Sequence, residues 1–295
     1  MSLTSARRVP APAPSGFQTA PSRVWILRHI TGSPSLVASS LVVLVVLSWA
    51  VAPWLFVSGD PLYGDTSMRL LPPSAEHWFG TDNLGRDVFT RIVYGAAESL
   101  RATTLAVAVG LVGGSAIGLI SGFIGGRVDT ALMRVIDVLL AIPSLLLALM
   151  VVTALGFGTT KVAIAVGVVA VASFARVMRA QVLRVRHSPF IEAATGLGMR
   201  WPTVLVKHVL PNSFGPVLAL AAIEFGTAVL SIAALSFLGY GNPPPAPEWG
   251  STVAEGRNYL ATAWWLTTMP GLVIISLVLA TNRLSRGFEH RQGER

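Results

Sequence analysis

The chain has 295 residues, of which 53% are hydrophobic and only 12% are charged, and its mean hydropathy is +0.64. This composition argues against a soluble globular domain, because too few polar side chains are present to cover its surface. The absence of cysteine excludes a disulfide framework, a thiolate metal site and a thiol nucleophile. The formal charge of +8 would by itself suggest nucleic-acid binding, so the positions of the charges decide its meaning.

Six apolar segments approach or exceed about 20 residues, the length that a helix needs to cross the hydrocarbon core of a membrane. They predict an all-α fold, a polytopic membrane protein with six transmembrane helices. The segments lie near residues 35–57, 99–124, 132–155, 161–182, 213–240 and 263–283.

Residues 1–34 precede the first apolar segment and predict a disordered tail, because their first 22 residues contain four prolines and no apolar periodicity. Ala50-Val51-Ala52 has the small-residue pattern of a signal-peptide cleavage site. The apolar segment starts about 35 residues into the chain, however, continues to Val57 and has Pro53 directly after the cleavage point. We therefore expect an uncleaved anchor.

Residues 58–98 connect the first two apolar segments and form, with the first of them, a predicted unit over 35–98. Charges of alternating sign stand at Asp82, Arg86, Asp87 and Arg91, with apolar residues between them. A helix that begins at Asp87 would carry one apolar stripe on the membrane or on neighbouring helices. Its charged side chains are expected to form local ion pairs in water.

The second apolar segment contains five glycines between positions 110 and 122, a spacing that predicts close packing of helix backbones. At the start of the third segment, Arg134 and Asp137 are three residues apart and are expected to pair at the membrane interface. Pro143 is expected to bend the third helix.

A polar interruption from Glu192 to Asn212, preceded by Ser188-Pro189, separates the fourth and fifth apolar segments. Ser188-Pro189 is a helix-start pair, Glu192 falls in the first turn, and two glycines end the helix soon afterwards. The pattern predicts a short helix whose two alanines offer a smooth docking face, although an ordinary helix-loop-helix at a membrane surface would also fit. The candidate site residues here are Ser188, Glu192, Ala193, Ala194, Gly198, Leu210 and Pro211.

Glu224 is the acidic residue that lies clearly within a predicted span, the fifth. A carboxyl group in the middle of a span is costly, so it should face the bundle interior, a cavity or a basic partner. It either contributes to a translocation path or is a protonated or hydrogen-bonded group in a subunit interface. Beyond this span, Trp249, Trp264 and Trp265 are expected to be interfacial anchors.

The distribution of Lys and Arg predicts the orientation. With the N-terminus inside, the inner segments hold sixteen of the 22 basic residues, and the outer segments hold six basic residues against eight acidic ones. This asymmetry follows the positive-inside rule, and it predicts that residues 188–211 and both termini are cytoplasmic. The basic charge therefore indicates membrane topology and does not indicate nucleic-acid binding.

Four motifs carry a resemblance to a known family over roughly residues 35–275. They are GTDNLGRD from Gly80, the GG-x-x-D run from Gly125 that leads to Pro143, EAATGLG from Glu192 with the later Leu210-Pro211, and SFLGYGNPPPAPEWG from Ser236. Together they resemble permease subunits of binding-protein-dependent ABC importers. The branch resembled is the second permease subunit of dipeptide, oligopeptide and nickel importers.

The resemblance implies a type I importer permease, with a core over 99–283, a coupling loop over 183–210 and a cytoplasmic C-terminal tail over 284–295. It also implies four kinds of partner: a homologous permease in a heterodimer, two cytoplasmic ATPases, an extracytoplasmic binding protein and membrane lipid. Two departures stand out: Ile232 occupies a position where the branch usually has Glu, and the C-terminal segment differs from the usual pattern. The implied substrate is a dipeptide or oligopeptide, with nickel or another small solute as the alternative.

Motifs for enzyme chemistry are absent from the sequence, which has no GxxxxGK[ST], HExxH or GxSxG pattern. We therefore expect no catalytic or metal site and no cofactor in this chain, with ATP and Mg²⁺ bound by partner ATPases. An ion-coupled secondary transporter is the alternative from another class. It would be expected to show an inverted repeat and several intramembrane ionisable groups.

Overall fold

A computed structural model describes the backbone of residues 34–293 and the side chains of residues 34–286. The predicted N-terminal tail, 1–34, lies outside the described residues except for Pro34. The described residues form helices and turns, with one isolated bridge between Thr81 and Asp87. The helices are α1 (Pro34–Val51), α2 (Val88–Ile124), α3 (Gly126–Ala141), α4 (Ser144–Leu155), α5 (Thr159–Arg186), α6 (Pro189–Gly196), α7 (Trp201–Phe237), α8 (Trp249–Gly256) and α9 (Trp265–Gly293). Short 3₁₀ turns occur at Pro53–Leu55, Thr66–Met68 and Arg257–Tyr259.

Five helices within the described residues are long and apolar enough to cross a membrane: α1, α2, α5, α7 and α9 up to Arg286. The all-α polytopic fold is therefore confirmed. The sixth predicted span, 132–155, is divided between α3 and α4, whose axes differ by 100°. The 12 residues of α4 extend about 18 Å, which is short of the roughly 30 Å of a hydrocarbon core. Six spans result only when this bent pair is counted as one.

Glycine and proline set the two ends of α3. Gly125 and Gly126 have φ of 71° and 58°, a left-handed backbone that favours glycine and turns the chain sharply away from α2. At the other end, Ile142 is extended with φ −90° and ψ 132°, as expected for a residue before proline. Pro143 therefore breaks the helix, a stronger effect than the bend that the sequence predicts.

Two ion pairs fix α3 across α5. Asp129 accepts hydrogen bonds from Arg179 at 2.5 and 2.7 Å, and Asp137 accepts one from Arg176 at 3.0 Å. The predicted pair between Asp137 and Arg134 is wrong, because Arg176 lies on the facing helix and takes the carboxylate. Both arginines lie in the second half of α5, so α3 packs against that half of the helix.

The glycines of α2 bring this helix close to α5. A Cβ atom added at Gly118 would lie 2.4 Å from the carbonyl oxygen of Ala175, and one added at Gly114 would lie 2.5 Å from the Cβ of Phe174. The predicted close packing is confirmed. α2 and α5 run in the same direction, since residues progressively later in α2 meet residues progressively later in α5.

The bundle has two distinct ends. At one end, here called the loop end, Arg186 donates to the carbonyl oxygen of Phe123 at 3.0 Å, and Arg283 donates to Ser35 at 3.1 Å. At the other, the turn end, Asn242 accepts from the backbone N–H of Thr159 at 3.1 Å. The start of α1, the end of α9 and the whole of α6 therefore belong to the loop end.

Candidate functional site

The start of α6 agrees with the sequence pattern in position but differs in one hydrogen bond. Ser188 is the N-cap residue and Pro189 is the first helical residue. The backbone N–H groups of Ile191 and Glu192 donate to the carbonyl oxygen of Ser188 at 3.0 and 3.2 Å. The Ser188 hydroxyl instead donates backwards to the carbonyl oxygen of Val185 at 2.6 Å, so the Ser188 side chain does not cap α6.

The two alanines of α6 face in different directions. Ala193 is exposed together with Glu192, whereas Ala194 is buried with Ile191, which packs in an apolar cluster with Val185 from α5. The prediction that both alanines form the open face is therefore wrong for Ala194. This residue keeps α6 close to its own chain, and Ala193 provides the unobstructed surface.

The helix ends as the sequence predicts, at Gly196, and Gly198 follows with φ of 78°. Gly198 is exposed, and an added Cβ there would meet nothing within 4 Å. Leu210 is half-buried and Pro211 is exposed; they stand in α7 directly after a π-helical segment at Leu205–Val209. Leu210 and Pro211, the second part of the motif that starts at Glu192, thus begin the regular α-helical part of α7.

Large apolar side chains surround these positions and stand exposed at the loop end. Their exposed fractions are 47% for Phe190, 85% for Leu197 and 61% for Trp201. The ring of Trp201 also lies 6.1 Å from that of Phe123, which links this region to the end of α2. An exposed apolar patch of this kind marks an interaction surface. The loop surface is defined here as Phe190, Glu192, Ala193, Leu197, Gly198 and Trp201.

Sequence reasoning missed Phe190, Leu197 and Trp201 as site residues. The available signal was their apolar character within a segment otherwise rich in polar residues, glycine and alanine. Their exposure could not be predicted, because apolar residues in a short helix are normally turned towards the chain's own core.

Glu224 lies half-buried beside a cavity of about 250 Å³, one of the environments that the sequence predicts for it. Hydroxyl groups from three helices line this cavity. One of them belongs to Ser144, the first residue of α4, so the cavity lies beside the break between α3 and α4. The polar residues that line it are Ser144, Ser173, Glu224, Thr227 and Ser231. A carboxyl group among hydroxyl groups can accept hydrogen bonds from an ammonium group or from another polar solute.

Buried ion pairs join distant segments at the turn end. Arg86 contacts Asp82 at 2.5 Å and Glu255 at 2.8 Å, and Arg91 contacts Glu255 at 3.3 Å. The arginine side chains are only 3% and 1% exposed, so the predicted solvated interfacial helix is wrong. The predicted helix start is confirmed, because Asp87 caps α2 by accepting from the N–H of Thr90 at 2.7 Å.

Glu248 lies in the same region and is 1% exposed. Burial is the main reason why the pKa of its carboxyl group is raised to about 7; the hydrogen bond with Ser236 lowers the pKa and the neighbouring Glu98 raises it. Trp249 is also buried and donates from Nε1 to the carbonyl oxygen of Ile92 at 2.9 Å. Trp265 is buried as well, so only Trp264, at 50% exposed, can be an interfacial anchor of the predicted kind.

Within the described part of the chain, no three His, Cys, Asp or Glu side chains converge as a metal site.

Comparison with known proteins shows what kind of chain this is. Residues 114–294 match the family described as "Binding-protein-dependent transport system inner membrane component". The chain belongs to this family.

Curated relatives agree over most of the chain. A probable D,D-dipeptide transport system permease of Escherichia coli is 40% identical over 266 residues, which are 90% of this chain and 88% of the relative. A dipeptide transport system permease of Alkalihalophilus pseudofirmus is 44% identical over 76% of this chain and 75% of the relative. The predicted resemblance to importer permeases is confirmed, and the secondary-transporter alternative is thereby removed.

Solved structures support the fold. A chain of an amino acid ABC transporter matches with a TM-score of 0.54 and 20% identity, over 69% of this chain and 94% of the solved one. An inward-facing methionine ABC transporter matches with a TM-score of 0.54 and 18% identity, over 67% and 96%. This chain is therefore a multi-pass inner membrane component of a transport system.

Proposed function

We propose that this chain is one of two homologous permease subunits in a peptide importer, driven by two cytoplasmic ATPases and loaded by an extracytoplasmic binding protein. The single observation that supports the coupling role is the loop surface. It combines exposed apolar side chains with the unobstructed Gly198 and with α6, the helix that contains the Glu192-Ala193-Ala194 motif. Family membership supports the general type of partner. The heterodimer and the number of ATPases are parts of this proposal that family membership alone does not establish.

In this proposal the loop end faces the cytoplasm and the turn end faces the binding protein. ATP draws the ATPases together, α6 moves with the socket that holds it, and the attached helices alternate between inward-facing and outward-facing arrangements. α6 must stay docked throughout, because ATP can shift the permease only through interactions that differ between the two states. Nucleotide and Mg²⁺ bind to the ATPases and not to this chain.

A peptide is the proposed substrate because relatives that match three quarters or more of this chain carry peptide or dipeptide in their names. Nickel or another small solute is the alternative. The side chains around the Glu224 cavity favour the peptide, since hydroxyl and carboxylate oxygens suit an ammonium group, whereas nickel favours imidazole nitrogen ligands.

Gly198→Asp tests the coupling role. The substitution adds a charged side chain to the loop surface and strains a left-handed backbone, so it should interrupt the contact with the ATPase. In the reconstituted transporter we expect uptake per ATP hydrolysed to fall at least tenfold, with less ATPase retained on the purified permease. Membrane insertion should be unchanged.

Gly239→Asp is the matched control. Gly239 also has a positive φ, of 93°, and open surroundings, but it follows α7 at the turn end. This variant should retain the ATPase as the wild type does. Wild-type uptake by the Gly198→Asp variant would contradict the proposed coupling role.

Glu224 is proposed to face the translocation path and to favour solutes that carry an ammonium group. Glu224→Gln should reduce uptake of a dipeptide with a free amino terminus by about tenfold, the value of one charge-assisted hydrogen bond, and should leave uptake of its N-acetylated form unchanged. Ser231→Ala, at the same cavity, is the control for shape. Equal effects on both peptides, or weaker assembly of the two permeases, would instead place Glu224 in the subunit interface.

A further inference from the structure

The exposed face of α3 carries basic and apolar side chains that have no part in the proposed coupling role. Arg127 and Arg134 are both exposed, and neither forms a hydrogen bond or ion pair with another residue in the described range 34–286. They are seven residues apart, which places them along one edge of the helix, about 10 Å from each other along its axis.

Apolar side chains lie next to this edge. Val135 and Val138 are 60% and 58% exposed, and Val128 is 40% exposed. The opposite face of α3 is closed, because Ile136 is only 1% exposed and packs with Ala172 and Ala175 of α5. The exposed face therefore combines a row of valines with a row of guanidinium groups.

The acidic residues of α3 do not neutralise these arginines. Asp129 and Asp137 are held by Arg179 and Arg176 on α5. The guanidinium groups of Arg127 and Arg134 thus give the exposed face two positive charges that the carboxylates of α3 do not neutralise. An anionic surface is the complementary partner.

The position of α3 supports a membrane surface as that partner. α5 is 28 residues long and extends about 42 Å, so it projects beyond a hydrocarbon core of roughly 30 Å. α3 lies against the loop-end half of α5, through Arg176 and Arg179, and the chain turns by 100° from α3 into α4. A helix near the end of the bundle, with apolar and basic rows side by side, has the composition of an interfacial helix.

We propose that the exposed face of α3 is a binding surface for anionic phospholipid, with Arg127 and Arg134 on the headgroup phosphates and the valines in the acyl region. Each basic residue near an anionic surface contributes enough to change lipid affinity by about fivefold. Gly125 and Gly126 at the start of α3, and Pro143 after its end, set the sharp turns on either side of the helix. This surface is separate from the loop surface on α6.

The absence of cysteine from the chain allows a direct test. Ala131 is exposed and lies between the two arginines on α3, so Ala131→Cys can carry a fluorophore in a transporter whose partner chains lack reactive cysteine. The labelled complex is reconstituted in vesicles of phosphatidylcholine with a small fraction of brominated phosphatidylglycerol or, separately, of brominated phosphatidylcholine. Bromine quenches the fluorophore only when the lipid is in contact with α3.

We expect brominated phosphatidylglycerol to quench at a much lower mole fraction than brominated phosphatidylcholine, and added salt to reduce the difference. Arg127→Gln with Arg134→Gln should reduce the preference for phosphatidylglycerol by about 25-fold, while replacement of both by Lys should retain most of it. Arg69→Gln with Arg257→Gln removes two exposed arginines at the turn end and should have no effect.

Equal quenching by the two lipids would show contact with the membrane without selection of anionic lipid, and would overturn the proposal. Absence of quenching by either lipid would show that protein covers this face, and would overturn it as well. Membrane insertion of the glutamine variants is checked by their yield in the complex, since the substituted side chains are exposed and make no contact that folding requires.

Discussion

Glu248 shows how a single residue at the turn end can make stability depend on pH. Its carboxyl group is almost completely removed from water, and its Oε2 atom has no hydrogen-bond partner that meets geometric criteria among the described residues. Burial disfavours the charged form most, and Glu98, which accepts from Asn242 at 3.1 Å, adds a like charge. The pKa of Glu248 is therefore about 7 instead of the ordinary 4.5. Below about pH 7 the folded chain therefore holds a proton on Glu248.

The sign of the effect follows from the raised pKa. Below about pH 4.5 both the folded and unfolded chains hold the proton, and the stabilisation by protonated Glu248 is complete. As the pH rises towards 7 the unfolded chain releases its proton first, so the free energy of unfolding falls. Above about pH 7 the loss levels off at roughly 3 kcal/mol.

Glu248→Gln should remove this dependence, because the amide stays neutral and has almost the same shape. We expect the melting temperature of the wild-type complex to fall between about pH 5 and pH 8 relative to that of the variant. Differential scanning fluorimetry in detergent measures both. Glu76→Gln, at an exposed residue, is the control for loss of a charge. The same pH dependence in wild type and Glu248→Gln would contradict the role of Glu248.

At the scale of helices, the contact between α2 and α5 sets how closely the bundle packs. Gly114 and Gly118 face backbone atoms of α5, with an added Cβ at 2.5 Å from the oxygen of Val171 and 2.4 Å from that of Ala175. Backbone atoms cannot move aside as a side chain can. In a membrane, where lipid competes for apolar surface, such close contacts supply much of the attraction between helices.

Gly118→Ala should therefore separate the two helices and destabilise the complex by about 1–3 kcal/mol, as expected for overpacking. Gly113→Ala is the matched control, because it lies on the same helix and its added Cβ would meet only a side-chain methyl group of Val171, at 3.2 Å. The midpoint of thermal denaturation should fall for Gly118→Ala and change little for Gly113→Ala. Equal melting temperatures for the two variants would show that this contact does not limit packing.

The helices differ in how well the sequence predicts them. Apolar length and small-residue spacing are local properties, so the position of α5 and the close contact of α2 with it could be predicted. The break at Pro143 was expected only as a bend, because the sequence alone does not show how far the chain turns at a proline. Nor does it show that Asp137 pairs with Arg176 on another helix.

The candidate site likewise has local features that the sequence predicts and tertiary contacts that it does not. The boundaries of α6 could be predicted from Ser188, Pro189 and Gly196, because caps and breakers act within a few residues. The burial of Ala194 could not, since it depends on the angle at which α6 meets α5. Nor could the sequence show that Arg91 meets Glu255, which is 164 residues away in the chain. Tertiary packing decides which polar residues are buried, and neither charge pattern nor periodicity contains that information.

At the scale of the whole molecule, the two ends of the bundle differ in charge and in construction. The loop end carries α6, its exposed apolar side chains and the basic residues of α3 and α5. The turn end is closed by buried ion pairs that tie Arg86, just before α2, and Arg91 of α2 to Glu255 in the last turn of α8. This asymmetry agrees with a cytoplasmic loop end, because Lys and Arg concentrate there and the positive-inside rule counts these residues alone.

Single cysteines provide the decisive measurement of orientation, since the chain has no cysteine of its own. Tyr63 at the turn end and Ala193 at the loop end are both exposed, so Tyr63→Cys and Ala193→Cys place one thiol on each side of the membrane. A membrane-impermeant maleimide added to intact spheroplasts should label position 63, and should label position 193 only after the membrane is permeabilised. Both positions must react in detergent, which controls for burial by partner subunits. Labelling of position 193 from outside would reverse the topology. It would also separate the loop surface from any cytoplasmic ATPase, because the chain would then present α6 to the compartment that lacks ATP.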